Sequence, residues 1–249
     1  MNTSGFYGLW LRELLRFFRS KTRIIGTLGI PFFFILVFGF GLSSFVSVED
    51  TTYFQFIVPG MMGMTLLFQS MFGGLSVIED KQFGFFKEIL VAPIPRPLVV
   101  LGKALGTATV VTIQATMVMV AAMFLGFSFN FSLPSIVLAL FSMFLVSTGF
   151  VGFGLIFAAK TNDPQSFQII VNFLIFPLFL LAGVFFPLDS VPGWMQAVSF
   201  LDPLTYGVDL LRAALIGLSF FPTWLSISAL LLFDAIALLI ASSFFSQAD

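Results

Sequence analysis

An all-α polytopic membrane protein is the fold class this sequence predicts, and three observations carry it. Of its 249 residues, 59% are hydrophobic and only 9% charged, whereas a soluble domain carries about a quarter. Mean hydropathy is +1.08. Six apolar runs recur along the chain, at 24–45, 54–78, 98–127, 135–159, 167–186 and 224–245, each near the ~20 residues that span a bilayer. The expected architecture is a single transmembrane domain over 1–249. It comprises six transmembrane helices, an N-terminal interfacial amphipathic helix and an outer re-entrant helical hairpin before the last span.

Composition also excludes chemistry. There is no Cys and no His, which removes disulfides, thiol and imidazole catalysis and the usual zinc sites. The net charge of −1 supplies no basic field for nucleic acid. Most of the 37 Phe residues are expected to face lipid or fill the core.

Residues 1–23 read as an amphipathic helix. Phe6, Trp10, Leu14 and Phe17 share one face, and Arg12, Arg16, Arg19 and Arg23 gather opposite. A basic amphipathic helix of this kind lies in the membrane interface. The apolar run behind it is too long for a signal peptide and no small-residue cleavage site follows, so the segment is expected to stay attached.

The second and third runs are joined by 79–97, where charge is dense: Glu79, Asp80, Lys81, Lys87, Glu88 and Arg96. Charges between apolar runs form a loop held in water. Within it, 83–90 has helical spacing, with Phe83, Phe86 and Leu90 on one side and Lys87 beside Glu88 on the other. Pro93, Pro95 and Pro97 end that helix. A solvated connector is an equally economical reading of these residues alone. The third run is overlong, so its first turn, with Lys103, is expected to project into the cytoplasm.

Further on, Asp163 suits an N-cap and Pro164 the first helical position of the fifth span. Gly102 and Gly106, and the cluster Gly149, Gly152, Gly154 and Ala158, allow close helix approach. No internal repeat of the kind seen in many secondary transporters is visible. The segment 187–222 predicts two short helices, 193–200 and 203–216, broken at Asp202-Pro203. Each is too short to span and too apolar for water, which points to a hairpin dipping into the outer leaflet. Asp209 and Arg212, three apart, can pair.

Lys and Arg set the orientation. With the N-terminus inside, ten of eleven lie on the cytoplasmic side, Arg212 alone being outside. Both termini are therefore expected to be cytoplasmic. Trp10 falls at the inner interface, and Tyr53, Trp194, Tyr206 and Trp224 at outer ends, as an aromatic belt.

No phosphate-binding loop is present: Ala104 follows Gly102-Lys103, and Pro97 stands where the first glycine belongs. Asp234 sits midway along the sixth span, where a carboxylate is costly and faces a partner or water. It reads either as a proton or cation relay or, more economically, as a structural hydrogen bond to Gln69, Gln114 or Asn172, or as an oligomer contact.

Two stretches carry a family resemblance over nearly the whole chain. One is Glu79…Phe83-Gly84…Lys87-Glu88-Ile89-Leu90-Val91-Ala92-Pro93-Ile94-Pro95-Arg96 with Leu101-Gly102-Lys103. The other is Phe186-Pro187…Pro192…Asp202-Pro203-Leu204-Thr205-Tyr206…Leu211-Arg212. Together they resemble the permeases of ABC-2-type exporters, especially those of the drug- or lipid-exporting kind. Phe85 stands where a Thr is common, and Asp202 where an Asn is common.

The resemblance implies a transport subunit that is not itself an enzyme and binds no cofactor. ATP and Mg would sit on a separate ABC ATP-binding subunit, present in two copies beside a permease homodimer. It implies that Glu79, Phe83, Gly84, Phe85, Phe86, Lys87, Glu88 and Arg96 form the coupling region, with Phe83, Phe85 and Phe86 as apolar anchors in a groove of the ATPase. Trp10, Arg12, Arg16 and Arg19 belong to a lever helix, and Asp202, Pro203, Tyr206, Asp209 and Arg212 to the outer hairpin. The expected setting is the lipid of a prokaryotic plasma membrane, with no nucleic acid partner. Export of a polysaccharide or glycolipid, or ion-coupled transport through Asp234, are the alternative functions, and the residues do not separate drug, lipid and glycan.

Overall fold

The computed structural model describes residues 3–41, 43, 51–83 and 95–247. Most of these residues are helical, and among them there is no sheet. In order come α1 (Thr3–Arg19), α2 (Lys21–Phe34, continued as a π-helix over Ile35–Phe40), α3 (Tyr53–Gly73), α4 (Leu75–Gln82) and α5 (Arg96–Phe124). Then follow α6 (Leu133–Lys160), α7 (Pro164–Leu181), the short α8 (Gly193–Ser199), α9 (Pro203–Ile216) and α10 (Thr223–Gln247).

Five helical stretches are long and apolar enough to cross a bilayer, α4 continuing that of α3. A sixth, Ile24–Phe40, meets the criterion when joined to α1, from which it is bent by 73°. That bend agrees with a helix lying across the start of a span.

Polar caps mark several boundaries. Thr52 accepts from Gln55 N at 3.3 Å and opens α3. Ser132 accepts from Ser135 N at 3.3 Å and opens α6. Asp163 accepts from Ser166 N at 2.7 Å, with Pro164 in the first turn, so the fifth span begins where the sequence places it. These hydrogen bonds hold the exposed Asp163 carboxyl below its ordinary value.

α6 is the centre of the bundle, with α3, α5, α9 and α10 packed around it. Glycines permit these approaches. A Cβ on Gly154 would lie 2.5 Å from the Met71 carbonyl oxygen, and one on Gly74 would lie 2.8 Å from the Gly154 oxygen. Here α3 gives way to α4, so the two backbones touch at the junction that leads toward 79–97. By contrast α7 leaves Ile169, Phe173, Phe176 and Leu180 exposed, and α10 leaves Leu232 and Leu239 exposed, as faces turned to lipid do.

Two boundaries differ from the sequence expectation. The fifth span ends at Leu181, not at 186, because Gly183 takes a left-handed φ of +68° and turns the chain. Glu79, Asp80 and Lys81 do not form a solvated loop but lie on helix α4, which a window of apolar residues ending at 78 could not reveal.

Candidate functional site

The most charged part of the fold lies where α1 crosses α5 and the end of α4. Gly106 permits the crossing: a Cβ there would sit 3.1 Å from Trp10 Cα. The Trp10 indole N–H donates to Thr109 Oγ1 at 3.1 Å, and Phe17 is buried. The apolar face of α1 is thereby spent on protein as well as lipid.

The basic face is also committed. Arg12 pairs with Asp80 and Arg16 with Glu79. Asp80 takes a second cation, Lys103 Nζ, at 2.6 Å, and Lys103 lies 3.8 Å from Glu13 Oε1. Arg12, Asp80, Lys103 and Glu13 thus form a chain of alternating charge linking three helices. Lys103 does not project into water as the overlong third run suggests; it is 6% exposed, because a buried carboxylate on the neighbouring helix needs it. Arg19 remains exposed.

Lys81, on the same helix as Asp80, donates at 2.9 Å to both Ala158 O and Ala159 O. It thereby satisfies carbonyls at the end of α6 that have no helical partner. Helix α4 is therefore pinned to α1 and α5 by Asp80 and to α6 by Lys81. Immediately beyond it Phe83 is 75% exposed, a large apolar side chain with nothing packed over it among the described residues. The rest of the expected docking helix, with Gly84, Phe85, Phe86, Lys87 and Glu88, lies outside the described residues, as does Pro93. Arg96 opens α5 behind Pro95.

At the opposite end the two short helices of the hairpin form as expected, with Asp202 as the N-cap of α9 and Pro203 in its first turn. The expected Asp209–Arg212 pair is not made. Asp209 instead accepts from Phe220 N at 2.6 Å and Phe221 N at 3.2 Å. Arg212 donates to Gly183 O at 2.9 Å and Val184 O at 3.1 Å, and its guanidinium lies 3.6 Å from the centre of the Phe56 ring. The loops on either side of the hairpin leave backbone groups that must be paired inside protein, and they outbid the neighbour on the helix.

Tyr206 donates to Phe200 O at 2.7 Å. Tyr53 departs from the expected aromatic belt: it is buried and donates to Phe185 O at 3.2 Å. Trp194 and Trp224 are exposed as a belt requires.

Asp202 is buried, and only Leu204 N–H, at 2.9 Å, reaches its carboxylate. Burial pushes this group from its ordinary 3.8 up to about 8. An acid whose folded value is raised holds its proton in the fold, so stability falls as pH rises from 3.8 toward 8. Asp202→Asn keeps the cap without the charge. Its thermal midpoint should be flat across that window where the wild type declines, and Asp202→Ala should lose a further ~1 kcal/mol with the cap. Parallel slopes in wild type and Asn variant would remove Asp202 as the cause.

Asp234 lies on the face of α10 that meets α6. A Cβ on Gly149 would sit 2.2 Å from its Oδ1, and the adjoining Phe233 packs on Phe150 and Phe153. None of the three partners expected for it is engaged, and Gln114 donates elsewhere, to Thr27 Oγ1 at 3.0 Å. Among the described residues no group of three or more acidic side chains is assembled that could hold a metal.

Among the described residues, then, a charged cluster at the end of α4 stands at one end of the helical bundle and two short helices, α8 and α9, at the other. The chain belongs to the ABC-2 type transporter family, whose pattern it matches over residues 4–216. It is similar to the transport permease ycf38 of Cyanophora paradoxa, at 29% identity over 89% of this chain and 82% of that one. It is also similar to the inner membrane transport permease YadH of Escherichia coli K12, at 25% identity over 90% of this chain and 88% of that one. The daunorubicin resistance ABC transporter permease DrrB1 of Streptomyces coeruleorubidus is 22% identical over 84% of this chain and 74% of its own.

Proposed function

We propose that this permease is the membrane subunit of an ATP-driven exporter of an amphiphilic, drug-like or lipid-like compound. It works as a homodimer with two ABC ATP-binding subunits in the inner membrane of a prokaryote, both termini facing the cytoplasm. The observation that carries the reading is the bracing of α4 by Asp80 and Lys81. A segment that receives force from an ATPase must hand it on to the bundle, and α4 hands it to α1, α5 and α6 at once. Exposed Phe83 at its end is the first apolar anchor of the docking segment, continued by Phe85 and Phe86, with Lys87, Glu88 and Arg96 as orienting charges. Aromatic anchors of this kind carry most of the energy of an interface.

The relatives named for daunorubicin resistance and for the inner membrane support the substrate class and the setting. The contacts of Trp10 with α5 and of Arg12 and Arg16 with α4 support a lever role for α1, which moves with α4. ATP and Mg belong to the partner.

Phe86→Asp tests the reading. The variant should insert and dimerise as the wild type does but lose the ATPase on co-purification in mild detergent, along with ATP-dependent efflux. Efflux at the wild-type rate would defeat the docking role of this segment. Asp234→Asn should leave ATP dependence intact; loss of ion coupling in that variant would favour a secondary carrier instead.

A further inference from the structure

A polar cleft lies between α1, α3, α4 and α5, away from the hairpin and bordering the charged cluster through Glu13. Its volume is ≈ 60 Å³, and Glu13, Gln69, Phe72, Ser76, Thr107 and Gln114 are on its walls. In a chain this apolar, five polar residues around one opening need a reason.

The hydrogen-bonding pattern gives the opening a sign. Thr109, Thr112 and Thr116 on α5 each return their hydroxyl to the carbonyl four residues back, at 2.7–2.8 Å. Thr107, on the same helix and 7% exposed, has no such bond, and its Oγ1 has no partner. Its methyl group faces Gly73, where a Cβ would come within 2.6 Å. Gln114 is 2% exposed. Its amide nitrogen is fixed by donation to Thr27, which leaves Oε1 buried without a donor. Thr107 and Gln114 are two helical turns apart, so they lie on one face of α5.

The lining holds a single charged residue, Glu13. Lys103 lies 3.8 Å from that carboxylate but 2.6 Å from Asp80, where its charge is chiefly engaged. Of the groups on its walls, the Glu13 carboxylate and Gln114 Oε1 only accept, while the Thr107 hydroxyl and the Gln69 amide can accept or donate, so the balance lies with acceptors. A carboxylate, an unpartnered amide oxygen and a free hydroxyl ask for a ligand that brings N–H donors and positive charge, and the Phe72 ring on the wall adds a surface that attracts cations.

We infer that this cleft binds the protonated amine headgroup of an amphiphile, with the tail left in the surrounding lipid. The inference rests on the exporter reading for its purpose, since it makes the cleft a place where a cationic substrate is held beside the lever helix. It does not rest on it for its test. Gln114 Oε1, Thr107 Oγ1 and the Glu13 carboxylate receive the ammonium protons in a cleft of ≈ 60 Å³.

The test is equilibrium binding of radiolabelled dodecylammonium to the full chain in phosphatidylcholine nanodiscs, read against empty nanodiscs. Dodecanol serves as the uncharged competitor. Saturable binding is expected, unaffected by dodecanol. Thr107→Val, which keeps the side-chain shape, and Gln114→Leu should each weaken it about tenfold, the value of one hydrogen bond to a charged group. Binding no greater than in empty nanodiscs, equal affinity in correctly folded Thr107→Val, or equal competition by dodecanol would each overturn the site. ATP-dependent efflux with the ATPase subunit is measured separately. Efflux without alkylammonium binding sinks the cleft alone, and binding without any ATPase association sinks the exporter reading alone.

Discussion

Asp80→Ala should be among the most damaging single substitutions in the chain, costing about 3–5 kcal/mol, the range for a buried ion pair that loses one partner. The carboxylate is 4% exposed and holds two cations, Arg12 and Lys103. Removing it leaves Lys103, whose side chain is 8% exposed, with only the longer 3.8 Å contact to Glu13, while Arg12, at 38%, can turn to water. The loss therefore comes mainly from Lys103. Replacing both Asp80 and Lys103 by Leu should recover part of it, because the buried Lys103 charge is then gone, while Glu13, whose side chain is 11% exposed, loses its nearest cation. Glu79→Ala next door should cost at most ~1 kcal/mol, since its pair with Arg16 is about one-third exposed on both sides. Unfolding of the purified variants in mixed micelles with rising dodecyl sulfate measures all three. A single Asp80 variant as stable as the double would show that Lys103 finds water, and the buried cluster would then not brace α4.

These same residues show what the sequence could and could not disclose. The spans, the cap at Asp163, the break at Asp202-Pro203 and the two short hairpin helices follow from local signals: runs of apolar residues, a side-chain acceptor before a proline, and proline itself. Asp80 and Lys103 belong to another kind of information. Each stands at the edge of an apolar run, where charge ordinarily marks the beginning of a loop. Only the tertiary fold, which brings Asp80 of α4 within 2.6 Å of Lys103 of α5, turns two apparent loop charges into a buried pair. The polar cleft was equally hidden, because Thr107 differs from Thr109, Thr112 and Thr116 in nothing but the hydrogen bond it fails to make. Asp209 and Arg212 failed in the opposite direction. Their spacing allows a local pair, yet backbone groups arriving from residues 183–184 and 220–221 claim each separately.

Arg212→Leu should for that reason be the most harmful change at the hairpin end, by about 3 kcal/mol, since carbonyls left unpaired inside protein cost ~1–3 kcal/mol each. The guanidinium serves Gly183 O and Val184 O, which follow the end of α7, and covers the Phe56 ring of α3. It thus joins α9 to both α3 and the turn that ends the fifth span. Leucine fills part of the volume but donates nothing, and Gly183, at a left-handed φ of +68°, holds its carbonyl where the chain cannot easily turn it to another donor. Arg212→Lys should recover no more than half of the loss. A single ammonium on a flexible stem lacks the planar fork that spans two carbonyls and a ring. Because the contacts lie among α3, α9 and the turn after α7, the damage should appear as greater proteolytic cleavage within 182–222, with the α1–α4 end still protected. Stability in both variants within about 0.5 kcal/mol of the wild type would mean that water or lipid headgroups reach these carbonyls, and that Arg212 is not what closes the hairpin onto the bundle.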